Sequence, residues 1–269
     1  MIEPVLHYYK IGDAVTAFST TRQGGYSQGQ YGQFNINRFC GDDSEAIRQN
    51  RQALCQLLQI TDDRLLMPHQ VHLTNVAAID EAFLHLSVDE RQEQLEGVDA
   101  MMTDIPQICI GVSTADCIPV LLYDIQHHAV CAVHAGWRGT VSRIIEVAID
   151  QMVQRYGTHP SDLIAQIGPG ISLDSFEVGD EVYDAFAVAG FDMTAISEHR
   201  PKSHNGQSLM KWHINLPECN RRQLIAKGVD TDNIQIANIC TFQQCDTYFS
   251  ARRLGINSGR IFTAIMIKS

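Results

Sequence analysis

No apolar run in this sequence is long enough to cross a bilayer; the longest, such as residues 118–123, fall far short, which argues against a helical membrane span. Residues 1–10 also lack a basic segment followed by an apolar one, so a cytoplasmic location is expected. Positive charge is scarce. Twenty Lys and Arg face 31 Asp and Glu, a formal net charge of −11, which excludes a general nucleic-acid binder that must neutralise phosphates. There is no CxxC pair among the eight cysteines, and the nearest approach, Cys240 and Cys245, is not a standard zinc spacing. Free thiols are the expectation in a reducing compartment. The GxGxxG dinucleotide fingerprint is missing, as are tandem repeats, low-complexity blocks and Pro/Gly/Ser-rich linkers, so residues 1–269 read as one domain. With 45% hydrophobic and 19% charged residues, the composition is that of an ordinary compact fold.

Along the chain, a strand at 15–19 leads into a glycine-rich turn region at 20–32, whose backbone can approach a ligand closely. A helix follows at 42–58, with Ser44 as its N-cap. Strands are expected at 65–78, 100–103, 108–112, 120–124 and 129–134, with a polar surface excursion at 84–96 between the first two. The pattern continues with a helix at 141–156, a strand at 164–167 ended by Gly168-Pro169-Gly170, helices at 180–189 and 216–227, and strands at 234–239 and 261–267. Adjacent strands without intervening helices argue against a doubly wound Rossmann sheet. They favour an α+β (mixed α/β) sandwich of mixed β-sheets flanked by helices.

Chemistry concentrates in three segments: Pro68 to His72, Ala115 to Pro119 and Val133 to Gly139. They supply a thiolate and imidazole nitrogens, the donors that Zn2+ or Cu2+ accept more readily than magnesium or calcium. Residues three apart on a strand face opposite sides, so only one of His69 and His72 reaches a shared site. His72 lies on the side of polar Gln70, whereas His69 shares its side with Val71. His72, Cys117 and His134 are therefore the candidate ligands, with His69 in a supporting or structural role. Three protein ligands leave one position open, as in catalytic zinc, and no convincing fourth Cys or His completes a structural site.

The sequence resembles the laccase-domain or YfiH-like family, first taken for multicopper polyphenol oxidases and now regarded as purine nucleoside phosphorylases. The resemblance spans nearly the whole chain. It is carried by Thr20-Thr21-Arg22-x-Gly24-Gly25-x-Ser27, Gly41-Asp42-Asp43, Asn50-Arg51, Gln70-Val71-His72, Ala115-Asp116-Cys117-x-Pro119, His134 to Gly139, Ile167-Gly168-Pro169, Phe176-Glu177-Val178, Phe249-Ser250-x-Arg252-Arg253 and Gly259-Arg260. It implies zinc held by His72, Cys117 and His134, in agreement with the reading from residue types. It also implies phosphorolysis of adenosine, inosine, guanosine and methylthioadenosine, together with hydrolytic deamination of adenosine, so purine nucleosides and phosphate are the expected partners; nothing specifies an oligomer. Two departures are visible: Gly170 stands where many relatives carry a Cys, and the chain is longer between His72 and Cys117.

Phosphorolysis requires an anion clamp beside the sugar and a proton for the departing base. Arg22, Arg51, Arg138 and Arg252 are the candidates for phosphate, Asp116 and Glu177 for proton transfer, and Trp137 for stacking on a base. Two other enzyme classes share these residues: a copper polyphenol oxidase, for which the HxH pairs of a multicopper centre are absent, and a cysteine hydrolase with Cys117 as nucleophile and His134 as base. A metal-binding or partner-binding module is the non-enzymatic alternative.

Overall fold

The computed structural model describes residues 2–204 and 207–269. From the N-terminus come β1 (Leu6–Tyr9), β2 (Val15–Thr20), α1 (Ser44–Leu58), β3 (Leu65–Leu66), β4 (Val76–Ala78), α2 (Glu81–Leu84), α3 (Val88–Gln94), β5 (Ala100–Thr103), β6 (Cys109–Thr114), β7 (Ile118–Asp124) and β8 (Ala129–Ala135). The remainder adds α4 (Trp137–Val141), α5 (Ile144–Tyr156), β9 (Leu163–Ile167), β10 (Glu177–Val178), α6 (Asp180–Val188), α7 (Met193–Ile196), β11 (Ser197–His204), β12 (Gln207–Ile214), α8 (Leu216–Ala226), β13 (Ile234–Ile236), α9 (Ala251–Leu254) and β14 (Ile261–Ile267). The mixed α+β architecture matches the expectation from the sequence.

Two sheets dominate: a five-stranded one in the order β1-β2-β14-β6-β3 and a six-stranded one in the order β13-β9-β7-β8-β5-β4, with β10-β12-β11 as a smaller third. Strand alternation sets the layering. In β7, Ile118, Val120 and Leu122 pack on the α5 and α8 side, whereas Leu121 and Tyr123 face the five-stranded sheet. In β14, Ile265 and Ile267 face the six-stranded sheet, while Phe262, Ala264 and Met266 pack against Leu54 and Leu58 of α1. The order is therefore helix, sheet, sheet, helices. The apolar seam between the two sheets is the middle of three packed clusters, with the α5 and α8 side beyond one sheet and α1 beyond the other.

Three expected elements differ. The helix begins at Ser44 because Asp43, not Ser44, caps it, its carboxylate accepting from Ala46 N at 2.8 Å. The helix expected at 141–156 is present as α5 but starts at Ile144, because Arg143, with φ of +64°, separates it from the short α4 that precedes it. The continuous strand expected at 65–78 does not exist. β3 pairs with β6 in one sheet and β4 with β5 in the other, so residues 67–75 cross between sheets. The cause is that Val71, Leu73 and His72 donate their backbone N–H groups to the buried Asp99 carboxylate instead of to a neighbouring strand. The polar excursion folds into α3 with a Ser87–Glu90 capping box. The antiparallel pair of β11 and β12 escapes an apolar-alternation reading, since β11 consists of polar residues and one proline. All eight cysteines are free thiols, and no described helix is long and apolar enough to cross a membrane.

Leu121 is fully buried in the seam, so Leu121→Ala should lower unfolding free energy by about 2–5 kcal/mol in chemical denaturation. Val188→Ala, at a position 90% exposed, should change it by less than ~0.5 kcal/mol.

Candidate metal centre

The layering locates the site. Cys117 immediately precedes β7 and falls on the seam side with Leu121 and Tyr123; His134 near the end of β8, opposite Pro119, is on the seam side with Val130 and Ala132. At this end the seam is not closed by apolar side chains. The 67–75 crossover spans it and brings in His72. The ligand atoms of His72, Cys117 and His134 lie within 4.8 Å of one another, with Cys117 Sγ 3.8 Å from His72 Nε2 and the two imidazole rings edge to face at 4.8 Å. Burial is graded across the trio: His134 is buried, Cys117 half-buried and His72 exposed. Gly136 allows the close approach, because a Cβ there would lie 2.8 Å from His72 Cδ2 and 3.0 Å from Cys117 Sγ.

Asp99 holds the trio in place. Its side chain is fully buried; Oδ1 accepts from His134 Nδ1 at 2.7 Å and from His72 N at 2.9 Å, and Oδ2 accepts from Leu73 N at 2.8 Å. The Asp99 carbonyl accepts from His134 N at 2.8 Å. Burial alone would raise the Asp99 pKa, but the hydrogen bond and charge of His134, with the backbone donors, bring it below the ordinary carboxylate value. With Nδ1–H committed to Asp99, His134 turns Nε2 toward the site, the carboxylate–histidine arrangement of metal centres. Burial also opposes the Cys117 thiolate, yet the charge of His134 and hydrogen bonds from both histidines pull its pKa down to about 6. For His134, burial lowers the value and the Cys117 thiolate and Asp99 raise it to about 9.

The donor set fits a cation. A zinc-sized ion sits about 2.0–2.3 Å from imidazole nitrogen and thiolate, so three ligand atoms gathered this closely suit it and leave a fourth direction open. Among the described residues this is the one cluster of three or more such ligands. His69 stands outside it, bonded through Nδ1 to Glu96 at 2.6 Å and stacked on Phe39 at 4.2 Å.

A cavity of about 610 Å³ opens over the trio, walled by Phe39, Trp137, Phe176, Arg252 and Arg260 among others. Arg252 spends one N–H on the Glu177 carbonyl and reaches the cavity wall. Arg138 lies over the Trp137 ring at 4.3 Å. Arg22 and Arg51 are not brought to the cavity: Arg22 donates to the carbonyls of Gly32 and Cys245, and buried Arg51 pairs with Asp62 and bonds the Leu65 carbonyl. Asp116 lines the cavity with φ of +86°, but its Oδ1 accepts from Thr241 Oγ1 and its Oδ2 from Arg252 N, both at 2.7 Å. Asp99 was not among the residues the sequence singled out, and Arg260 stood only within the Gly259-Arg260 motif with no role attached. The one signal for Asp99 was an acidic residue directly before an apolar strand.

Two packed mixed sheets with an open His–Cys–His cluster in their seam define an α+β protein with a three-ligand metal-type site. The chain belongs to the family described as multi-copper polyphenol oxidoreductase laccase, whose sequence model matches residues 16–268. It is 47% identical over 253 residues to a purine nucleoside phosphorylase of Bacteroides thetaiotaomicron, covering 94% of this chain and 92% of that one. It is 43% identical over 263 residues to adenosine deaminase RL5 from an unknown prokaryotic organism, covering 98% of each. The crystal structure of YlmD from Geobacillus stearothermophilus matches with a TM-score of 0.85 at 26% identity, covering 97% of this chain and 94% of that one. That of the hypothetical protein YfiH from Bacillus licheniformis gives 0.85 at 26%, covering 94% and 93%.

Between the two pKa values the metal-free pair is a thiolate beside an imidazolium, so a cation must displace the His134 proton. Zinc titration calorimetry at about pH 8, in buffers of different ionisation enthalpy, should show about one proton released per ion bound. Below pH 6 Cys117 is protonated as well, and affinity should fall more steeply with acid; above pH 9 the His134 proton is already gone and its release should vanish. Zero release at pH 8 would contradict the assigned ionisation.

Proposed function

We propose that this chain is a zinc-dependent purine nucleoside phosphorylase that also deaminates adenosine. The observation that carries the reading is the meeting, in one cavity, of the three-ligand cluster with aromatic rings and with Arg252 and Arg260. The activities for which the two relatives are named support it.

In phosphorolysis the C–N glycosidic bond breaks, phosphate oxygen bonds the anomeric carbon, and the base leaves with a proton. In deamination the purine C6–N bond breaks, water supplies the oxygen, and ammonia leaves. Zinc held by His72, Cys117 and His134 would supply Lewis-acid polarisation of an oxygen atom and a lowered pKa for water. The chain's own groups do the rest. Phosphate in a protein of net charge −11 needs local cations, which Arg252 and Arg260 provide; Arg252 keeps donors for an oxyanion, while Arg260 is a fixed charge whose N–H groups bond the carbonyls of Ser258, Gly259 and Ile256. Phe39, Phe176 and Trp137 offer faces and edges for a purine. With both oxygens accepting hydrogen bonds, Asp116 is a positioning residue that ties the Arg252 backbone to the Cys117 loop.

One observation favours a second reading. The depressed Cys117 pKa beside His134 is that of an activated thiol, as a cysteine hydrolase requires. Chelation separates the two, since a thiol nucleophile would survive loss of metal.

With adenosine and phosphate under anaerobic conditions the protein should release adenine and ribose 1-phosphate, with inosine as a second product, and the activity should disappear on removal of metal. Neither reaction moves electrons to oxygen. Arg252→Ala should raise the KM for phosphate roughly tenfold. Oxygen-consuming turnover of phenols with no cleavage of nucleoside would overturn the proposal.

A further inference from the structure

The polar wall of the cavity between β6 and the Cys117 loop is nearly all in use. Gln70 clamps the Ser113 peptide, donating from Nε2 to its carbonyl at 2.9 Å and accepting from its N–H at 2.7 Å. Asn37 donates to Ser113 Oγ at 2.7 Å and accepts from Phe39 N at 2.6 Å. Asp116 has both carboxylate oxygens occupied. Thr114 is the exception. It is 1% exposed, it lines the cavity, and its Oγ1 has no hydrogen-bond partner among the described residues.

Its direction follows from the strand. Thr114 ends β6 opposite Ile261 of β14 and lies on the same face as Val112 and Ile110, which fill the apolar seam. That is the face toward Cys117 and His134. A hydroxyl taken out of water without a partner forfeits hydrogen bonds, and such a group in a cavity wall is completed by what the cavity holds. Charge in this cavity is matched by the arginines and the base by aromatic rings, whereas a neutral group that both donates and accepts matches a sugar hydroxyl, which does the same.

We propose that Thr114 is a substrate-binding residue whose hydroxyl holds a ribose hydroxyl of the bound nucleoside. This rests on the nucleoside reading given above. The mouth of the six-stranded sheet would then present Cys117 and His134 while the end of the five-stranded sheet orients the sugar.

The test compares wild type, Thr114→Val, Thr114→Ala and Thr114→Ser on adenosine and its 2′-, 3′- and 5′-deoxy analogues, each variant first checked for zinc content and thermal unfolding. Removal of the hydroxyl should lower kcat/KM for adenosine roughly tenfold, and Thr114→Ser should recover most of it. For the one deoxy analogue lacking the partner hydroxyl, wild type and Thr114→Val should be equal. Equal losses on all four nucleosides, no loss at all, or a Thr114→Ser variant as poor as Thr114→Val would overturn the assignment while leaving the nucleoside reading intact. A wild-type protein inactive on every nucleoside would overturn both.

Discussion

The buried Asp99 carboxylate is the constraint on which the rest of the site depends. A carboxylate without water is costly unless it is hydrogen-bonded and faces a cation, and here it collects backbone N–H groups from the 67–75 crossover and the Nδ1–H of His134. One group thereby does three things. It bends the crossover away from either sheet, holds the backbone of His72 at φ of +65°, and sets the His134 tautomer. The two imidazoles meet Cys117 because the His134 ring and the His72 backbone are both held by Asp99 Oδ1.

Around that anchor the two sheets act as a rigid frame. Their seam is filled by Leu121, Val130, Ile110 and Ile265, and it opens only where polar residues replace apolar ones at the strand ends. The ionisation of the trio follows from this placement: Cys117 and His134 are near enough to charge each other against the penalty of burial. The family's description names a multi-copper centre, whereas this chain gathers one three-ligand cluster among its described residues. That arrangement suits a single ion with an open position better than a set of coppers.

Much of the frame was legible in the sequence because short apolar runs with turn residues between them are strand signals that packing reinforces. β5 and β14 fall where periodicity placed them. The 65–78 segment was not legible, since its apolar pattern resembles a strand while the group that diverts it, Asp99, lies over twenty residues downstream. The choice of His72 over His69 rested on strand alternation that this segment does not have; the same choice agrees with the geometry because Glu96 and Phe39 occupy the His69 ring. The cluster itself could be read from residue types. Which of the candidate arginines serves the cavity could not, because a guanidinium serves a backbone carbonyl, an ion pair or an anion equally well, and only the fold shows that Arg252 lines it while Arg22 and Arg51 are spent elsewhere.

The claim that Asp99 builds the site is tested most directly by zinc affinity, measured by competition with a chromophoric chelator, in wild type and Asp99→Asn. The amide keeps the volume but loses the charge and one acceptor, so affinity should fall by about 10–100-fold with the fold retained. An Asp99→Asn protein that binds zinc as tightly as wild type would contradict the account.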